Sequence, residues 1–158
     1  MKHKIIVVAA LALAIGLPCA AEDKACTLVT PAELESLVDK KVTMKGSAMG
    51  TAHICSGRTP TLSVMLRMAQ RKPGAGNEAA GAAAAEAMGA KVDVKTFGPI
   101  TCSTIIPAKD KEMYGFNTTC SVLKGTTVAA IEITSKSRAA MVPIEKLRPV
   151  AEKMATRF

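Results

Sequence analysis

Apolar and polar residues alternate in several short stretches of the chain, and this alternation predicts β-strands. It is most regular in residues 61–69, TLSVMLRMA, where Leu62, Val64, Leu66 and Met68 share one face. Successive side chains of a strand point to opposite faces, so a period of two indicates a half-buried strand. The other stretches predicted as strands are 91–97, 102–106, 115–123, 126–134 and a short one that ends at Cys55.

Two details of the predicted sheet follow from the same pattern. In 91–97 the alternation places Val92 and Val94 on the inward face. Between the last two strands, Lys124-Gly125 is expected to form a two-residue hairpin turn.

Three stretches have helical features instead. The first is 29–41, where Thr30 is an N-cap and Pro31 follows at the first helical position. Glu33 can complete a capping box with Thr30, and Lys40-Lys41 suit the negative C-terminal end of the helix dipole. Residues 77–89 are rich in alanine, with Asn77 as a cap and Gly89 as a stop, although a low-complexity linker is an alternative interpretation.

The chain ends in a third amphipathic segment. One helical face collects Ile144, Leu147, Ala151, Met154 and Phe158. Pro149 lies off this stripe, and we expect it to kink the helix or to begin a second one. The element order predicts a single α+β domain, an antiparallel sheet with helices packed on one face.

Residues 1–21 have the pattern of a secretory signal peptide. Lys2 and Lys4 precede an apolar run over 5–17, and small residues follow at 19–21. We therefore expect a mature domain of residues 22–158 that is periplasmic or secreted and has no transmembrane span after cleavage. An uncleaved anchor is one alternative; a lipidated Cys19 is another, although Pro18 suits a lipoprotein cleavage site poorly.

The charge of the chain favours anionic partners. The formal charge is +8, and without Lys2 and Lys4 the domain keeps 19 basic against 13 acidic residues, about +6. Such a surface suits an anionic ligand or an envelope protein, or it serves solubility alone. No nucleic acid is expected, because few aromatic side chains are present for base stacking. The candidate contacts for an anion or partner near one hairpin are Arg58, Arg67, Arg71 and Lys72.

Four cysteines remain in the mature chain: Cys26, Cys55, Cys102 and Cys120. An even number in an exported protein predicts two disulfides, for which three pairings are possible. No pair has the close spacing of a zinc site, a thioredoxin-like motif or a haem attachment. Cys102 and Cys120 lie symmetrically about Lys111, so a hairpin with its loop there would place them opposite each other and favour a cross-strand bridge.

Few side chains offer catalytic or metal chemistry. His53 is the only histidine after residue 3, and an enzyme would have to use it, with Ser56 or Ser63 nearby, or carboxylates. Met44, Met49 and His53 could together hold Cu(I), although methionine is also a common core residue. We assign no catalytic residue, no metal ligand and no cofactor from the sequence.

The opening CTLVTPAELE, residues 26–35, resembles that of small exported bacterial proteins of unknown function, often lipoproteins, that begin C-x-L-[LV]-T-P-A-E. The resemblance extends to ICSGRTPTLSV and to the closing EKLRPVAEKMATRF. It implies a Cys26–Cys55 disulfide and a location in the cell envelope, and it brings no catalytic residues. Together these features predict a non-enzymatic exported domain that binds a partner or a small ligand. The alternatives are a small periplasmic enzyme and a copper-handling protein.

Overall fold

The computed structural model describes residues 23–71 and 78–158, in which the strands form one antiparallel sheet. The predicted signal peptide, Lys72 and Asn77 lie outside these residues. The strands are β1 (Lys45–Met49), β2 (Ala52–Arg58), β3 (Leu62–Gln70), β4 (Lys91–Phe97), β5 (Ile100–Ile106), β6 (Phe116–Lys124) and β7 (Thr127–Ser135). The α-helices are α1 (Pro31–Val38), α2 (Glu78–Ala87) and α3 (Ile144–Met154), and 3₁₀ turns span Lys24–Thr27, Lys109–Tyr114 and Arg138–Ala140.

The strand order across the sheet is β1-β2-β3-β7-β6-β5-β4, so β1 and β4 form the two edges. Helix α3 packs against β5, β6 and β7, and α1 packs against α3. The core between them includes Leu34, Leu37, Leu66, Cys120, Ile131, Leu147 and Met154. The predicted α+β class and the single sheet are confirmed.

Helix α1 begins as its sequence predicts. Thr30 Oγ1 accepts a hydrogen bond from the Glu33 backbone N–H at 3.3 Å, and Glu33 Oε2 accepts one from the Thr30 N–H at 2.9 Å. The helix ends earlier than predicted, at Val38, because Asp39 adopts a left-handed conformation with φ of 52°. Lys40 and Lys41 therefore lie beyond the helix and not in its last turn.

The alanine-rich segment is a helix, α2, which contacts β4 and β5. Gly89 has a positive φ of 84° just after its end, where other residues would be strained, as expected of a stop signal. Ala85 is buried in this helix. The predicted cap, Asn77, lies outside the described residues.

The sequence predicted correctly which side chains of β3 face the core, but it did not do so for β4. Leu62, Val64 and Leu66 are buried on the face that carries the helices. In β4, Lys95 lies opposite Cys102, so Asp93, Lys95 and Phe97 are on that face, and Val94 is 44% exposed on the other. The inward placement of Val92 and Val94 was wrong, because the register of this edge strand follows from its hairpin turn, not from its valines.

One smaller expectation needs correction, and one of the two alternatives for Pro149 is excluded. Lys124 pairs with Thr127, so the turn between β6 and β7 consists of Gly125 and Thr126, one residue later than predicted. Pro149 lies inside α3, which continues to Met154, so no second helix begins there.

Both disulfides form the predicted pairs. Cys102 and Cys120 lie directly opposite each other on β5 and β6, with Cα atoms 4.0 Å apart. Cys26 and Cys55 connect the first 3₁₀ turn to β2, with Cα atoms 5.1 Å apart. Cys55, Cys102 and Cys120 are fully buried, so the bridges are part of the core.

Within the described residues, no helix combines the length and the apolar character needed to cross a membrane.

Candidate functional site

A cleft of about 410 Å³ lies at one end of the sheet, on the face that carries the helices. We call it the His53 cleft. It is lined by Lys24, Thr27, Leu28, Thr51, His53, Met68, Ala69, Gln70, Thr127, Arg157 and Phe158. These residues come from the first 3₁₀ turn and the residue after it, from the turn between β1 and β2, from β2, β3 and β7, and from the end of the chain. Its volume falls in the range of small-molecule sites.

The floor of the cleft is formed by three neighbouring strands, β2, β3 and β7. His53 of β2 lies opposite Met68 of β3, and the next residue of β3 on that face, Gln70, lies opposite Thr127 of β7. Gln70 Nε2 donates a hydrogen bond to Thr127 Oγ1 at 2.9 Å, and Gln70 Oε1 accepts one from Thr126 Oγ1 at 2.8 Å. These two hydrogen bonds fix the orientation of the Gln70 side-chain amide in the floor of the cleft.

The first 3₁₀ turn forms one wall of the cleft. Asp23 caps this turn, since its Oδ1 accepts a hydrogen bond from the Ala25 N–H at 2.9 Å. The Cys26–Cys55 disulfide attaches the turn to β2 two residues from His53, on the same face of the strand. The disulfide therefore fixes the distance between the wall and the floor.

Gly46 of β1 allows this close approach. It lies opposite Cys55, and a Cβ atom added at Gly46 would be 2.4 Å from Asp23 Cβ and 3.1 Å from Cys26 Sγ. A side chain here would collide with the turn. The close approach of the first 3₁₀ turn therefore explains why a glycine occupies this position of the edge strand β1.

The imidazole of His53 faces the carboxylate of Asp23. Its Nδ1 atom is buried and has no hydrogen-bond partner among the described residues. Asp23 Oδ2 lies 3.6 Å from Nδ1, which is beyond hydrogen-bonding distance but close enough for an ion pair when the imidazole is protonated. A small movement of Asp23 towards Nδ1 would complete a hydrogen bond between the two side chains.

Arg157 also lines the cleft and is held by Leu28, which ends the first 3₁₀ turn, and by Glu33 of α1. Its Nη1 donates to the Leu28 carbonyl at 2.8 Å and to Glu33 Oε2 at 2.7 Å, and its Nη2 donates to Glu33 Oε1 at 2.8 Å. This bidentate pair lowers the pKa of Glu33 to about 2, chiefly through the hydrogen bond from Arg157, and raises the pKa of Arg157.

The side chains lining the cleft are basic, neutral polar or apolar. Lys24, His53 and Arg157 supply the basic groups, and no Asp or Glu is among the lining residues in the part of the chain that the structure describes. Leu28, Met68 and Phe158 supply apolar surface. Arg157 is paired with Glu33, and Nδ1 of His53 faces Asp23. Lys24 and the rest of the His53 ring are therefore the basic groups available to a ligand.

The residues predicted as an anion or partner contact do not line this cleft. Arg58 and Arg71 lie at opposite ends of the β2–β3 hairpin, because Arg58 pairs with Ser63 and the Arg71 N–H bonds Thr126 O. Arg67 is exposed in the middle of β3, on the face opposite the core. Lys72 is outside the described residues, and the structure does not bring Arg58 and Arg71 together.

Arg58 lines a second depression, of about 510 Å³, with Glu112, Tyr114 and Lys136. The charged loop between the bridged strands reaches this depression. Met113 and Tyr114 are 86% and 74% exposed there. The lining carries charges of both signs, and it holds no buried polar group without a partner among the described residues.

The structure also places the residues of the enzyme and copper alternatives. Ser56 and Ser63 lie on the sheet face opposite His53, so neither forms a pair with it. Met44 lies near Gly57, four residues along β2 from His53, and Met49 is 74% exposed at the end of β1. In the ranges 23–71 and 78–158, no three His, Cys, Asp or Glu side chains are grouped closely enough to hold a metal ion.

Several residues of the cleft could not be recognised from the sequence. Lys24, Gln70, Thr127 and Arg157 come from distant parts of the chain, and only the strand order brings them together. A weak signal existed in Asp23, which precedes a short segment with a cysteine and is a typical capping residue.

Comparisons with protein-family models, with curated proteins and with solved structures find no match for this chain.

Proposed function

We propose that the protein is an exported binding domain that holds a small amphipathic anion, such as a carboxylate or phosphate monoester with a short apolar chain, in the His53 cleft. The observation that supports this most directly is the lining of the cleft, which combines basic and apolar side chains and contains no acidic one among the described residues.

The charged end of the ligand would lie near Lys24 and His53. Lys24 is exposed on the first 3₁₀ turn, and His53 faces the same cleft from β2. A carboxylate or phosphate accepts strong hydrogen bonds from an ammonium group and from an imidazole N–H. Arg157 contributes positive potential while its hydrogen bonds remain with Glu33 and Leu28.

The apolar part of the ligand would contact Leu28, Met68 and Phe158. Leu28 is buried in the core, whereas Met68 and Phe158 are half-buried and belong to its margin. The methionine thioether adapts to apolar groups of different shape, which suits a site for a flexible chain. Binding would bury this surface and so favour ligands with an alkyl group.

The export part of the proposal is supported by the two disulfides, which are stable in an oxidising compartment outside the cytoplasm. The envelope location implied by the resemblance agrees with them. The signal-peptide pattern in residues 1–21 is a further observation that supports export.

Isothermal titration of the domain with hexanoate, with hexyl phosphate and with hexyltrimethylammonium tests the proposed function. The two anions should bind, and the cation of equal chain length should not. Lys24→Glu should weaken anion binding by about tenfold or more, since it replaces a charge-assisted hydrogen bond by repulsion. Equal binding of the cation, or no binding of either anion, would refute the proposal.

Lys40→Glu is the matched control. Lys40 is also exposed, and it lies after α1, outside the cleft. The change in net charge is identical, so Lys40→Glu should leave the affinity within about twofold at moderate salt. If both variants lose affinity equally, the effect comes from total charge and not from the cleft.

The enzyme and copper alternatives remain proposals of a different class. The cysteines of the domain are in disulfides, so an enzyme would use carboxylates or His53, which Asp23 faces at 3.6 Å. A copper protein would use His53 and Met68, the cross-strand pair of the floor. Turnover that is lost in His53→Gln would favour the first, and stoichiometric Cu(I) lost in Met68→Leu would favour the second.

A further inference from the structure

Strand β4 is an edge of the sheet with most of its surface exposed. Five of its seven side chains are exposed, and only Val92 and Phe97 are half-buried. An exposed edge carries backbone donors and acceptors that can pair with another strand. Val94, an apolar residue that is 44% exposed, lies at the centre of this edge.

The hairpin that joins β4 to β5 shows which backbone groups point outward. Phe97 and Ile100 flank the two-residue turn Gly98-Pro99, and Gly98 has a φ of 59°, as such hairpin turns require. The residues that flank a turn of this kind bond to each other, so Phe97 and every second residue before it bond to β5. Val92, Val94 and Thr96 therefore direct their N–H and C=O groups away from the sheet.

The sequence of β4 is complementary to itself in the antiparallel direction. When two copies of KVDVKTF are paired about Val94, Val94 meets Val94, and Val92 meets Thr96. Asp93 of each copy then lies opposite Lys95 of the other, so one strand pair forms two opposite-charge contacts. In this register Val94 meets Val94 and Val92 meets Thr96, so the residues whose backbone groups point outward face one another, as a hydrogen-bonded ladder requires.

We propose that a second copy of this chain pairs with β4 about a two-fold axis through Val94, which joins two seven-stranded sheets into one. The surface is self-complementary, as a two-fold dimer requires. The axis is perpendicular to the sheet, so both copies keep their helices on the same face. Helix α3 lies over β5, β6 and β7, and α2 contacts β4 and β5. The side chains of residues 93–96 remain exposed along the edge.

The other edge does not have these features. Strand β1, KGSAM, is shorter, and pairing it with itself about Ser47 brings Lys45 opposite Met49 and Gly46 opposite Ala48. No opposite charges meet in that register. The complementarity is therefore a property of β4 and not of sheet edges in this protein generally.

Sedimentation equilibrium of the domain tests the pairing over a range of about 10 μM to 1 mM, where weak dimers are detected. The wild type should form dimers in this range. Lys95→Asp should raise the dissociation constant by about tenfold or more, because two attractive cross-strand contacts become repulsive. A wild type that is monomeric at every concentration would overturn the proposal.

The double variant Asp93→Lys/Lys95→Asp separates pairing from other effects. It restores opposite charges across the axis, so its dissociation constant should return to within about threefold of the wild type. Both variants lose the 2.9 Å contact between Lys95 and Glu145, so that loss cancels between them. Lys45→Asp is the matched control on β1 and should dimerise as the wild type does. Failure of the double variant to recover would contradict the register.

Cross-linking determines the register independently of charge. Residues that face each other in a hydrogen-bonded antiparallel pair have Cα atoms about 5.5 Å apart, within the range of a disulfide. Val94→Cys should form a disulfide-linked dimer on mild oxidation, whereas Val92→Cys, which faces Thr96, should not. Equal cross-linking of the two variants would contradict an axis at Val94.

Discussion

The carboxylate of Glu33 connects the start of α1 to Arg157, which lies 124 residues further along the chain. It completes the N-cap of α1 and also receives two hydrogen bonds from Arg157. The capping box was predictable because it lies within four consecutive residues. The contact with Arg157 was not, since it depends on where α3 ends in space.

The pKa of Glu33, lowered from 4.5 to about 2, makes a prediction for stability against pH. A lowered pKa in the folded state means that the ionised carboxylate stabilises the fold above pH 4.5 and that this contribution is lost as the pH falls from 4.5 towards 2. It amounts to about 3 kcal/mol at most. Chemical denaturation at several pH values should show this loss.

The Glu33→Gln variant provides the comparison. A glutamine still completes a capping box, so the variant removes the charge and retains the cap. The variant should be less stable than the wild type at pH 7, and the two stabilities should converge near pH 2. A constant difference across this range would show that the Arg157 contact does not depend on the carboxylate charge.

Gly46 is a second residue whose role depends on close contact. In Gly46→Ala the added methyl would lie 2.4 Å from Asp23, so the 3₁₀ turn must move. We expect a loss of about 1–3 kcal/mol, as in other overpacked sites. Thermal or denaturant unfolding measures it.

Gly81→Ala is the matched control for that change. Gly81 lies in α2, and nothing approaches within 4 Å of the position of its missing Cβ. Alanine favours a helix more than glycine does, so this variant should be as stable as the wild type or more stable. Equal destabilisation of the two variants would contradict the tight contact at Gly46.

At the level of elements, the predictable parts are those with a strong local signal. The alternation in β3 and the cap of α1 depend on neighbouring residues only, and both agree with the structure. The two faces of β4 were assigned wrongly because its valines suggested a core position. In an edge strand the register comes from the turn and from pairing with β5, which propensity does not encode.

The disulfide between β5 and β6 was predictable because its two cysteines lie equally far along the chain from the middle of one loop. Replacing both cysteines, Cys102→Ala/Cys120→Ala, should lower the free energy of unfolding by about 3 kcal/mol. Without the disulfide the unfolded chain has more conformational entropy, which favours unfolding. The buried position of both sulfur atoms adds to the loss. Denaturant unfolding of the wild type and the variant measures this difference, and equal midpoints would contradict it.

At the level of the whole molecule, the fold class followed from the order of the elements, but the His53 cleft did not. The order of short strands and helices is visible along the chain and predicts one layer of helices on a sheet. The cleft needs β3 and β7 to be neighbours, and it needs the end of the chain to return to the first 3₁₀ turn. Those long-range pairings determined which basic residues face one another, and they separated Arg58 from Arg71.

The central claim is that an amphipathic anion binds in the His53 cleft, and NMR titration tests it at the resolution of single residues. Addition of hexyl phosphate should shift the amide signals of Thr27, Thr51, His53 and Gln70 together, with one dissociation constant. The signals of β4 and of the depression around Arg58 should not move. Shifts centred on Arg58 and Lys136, or spread over all basic residues without saturation, would contradict the account.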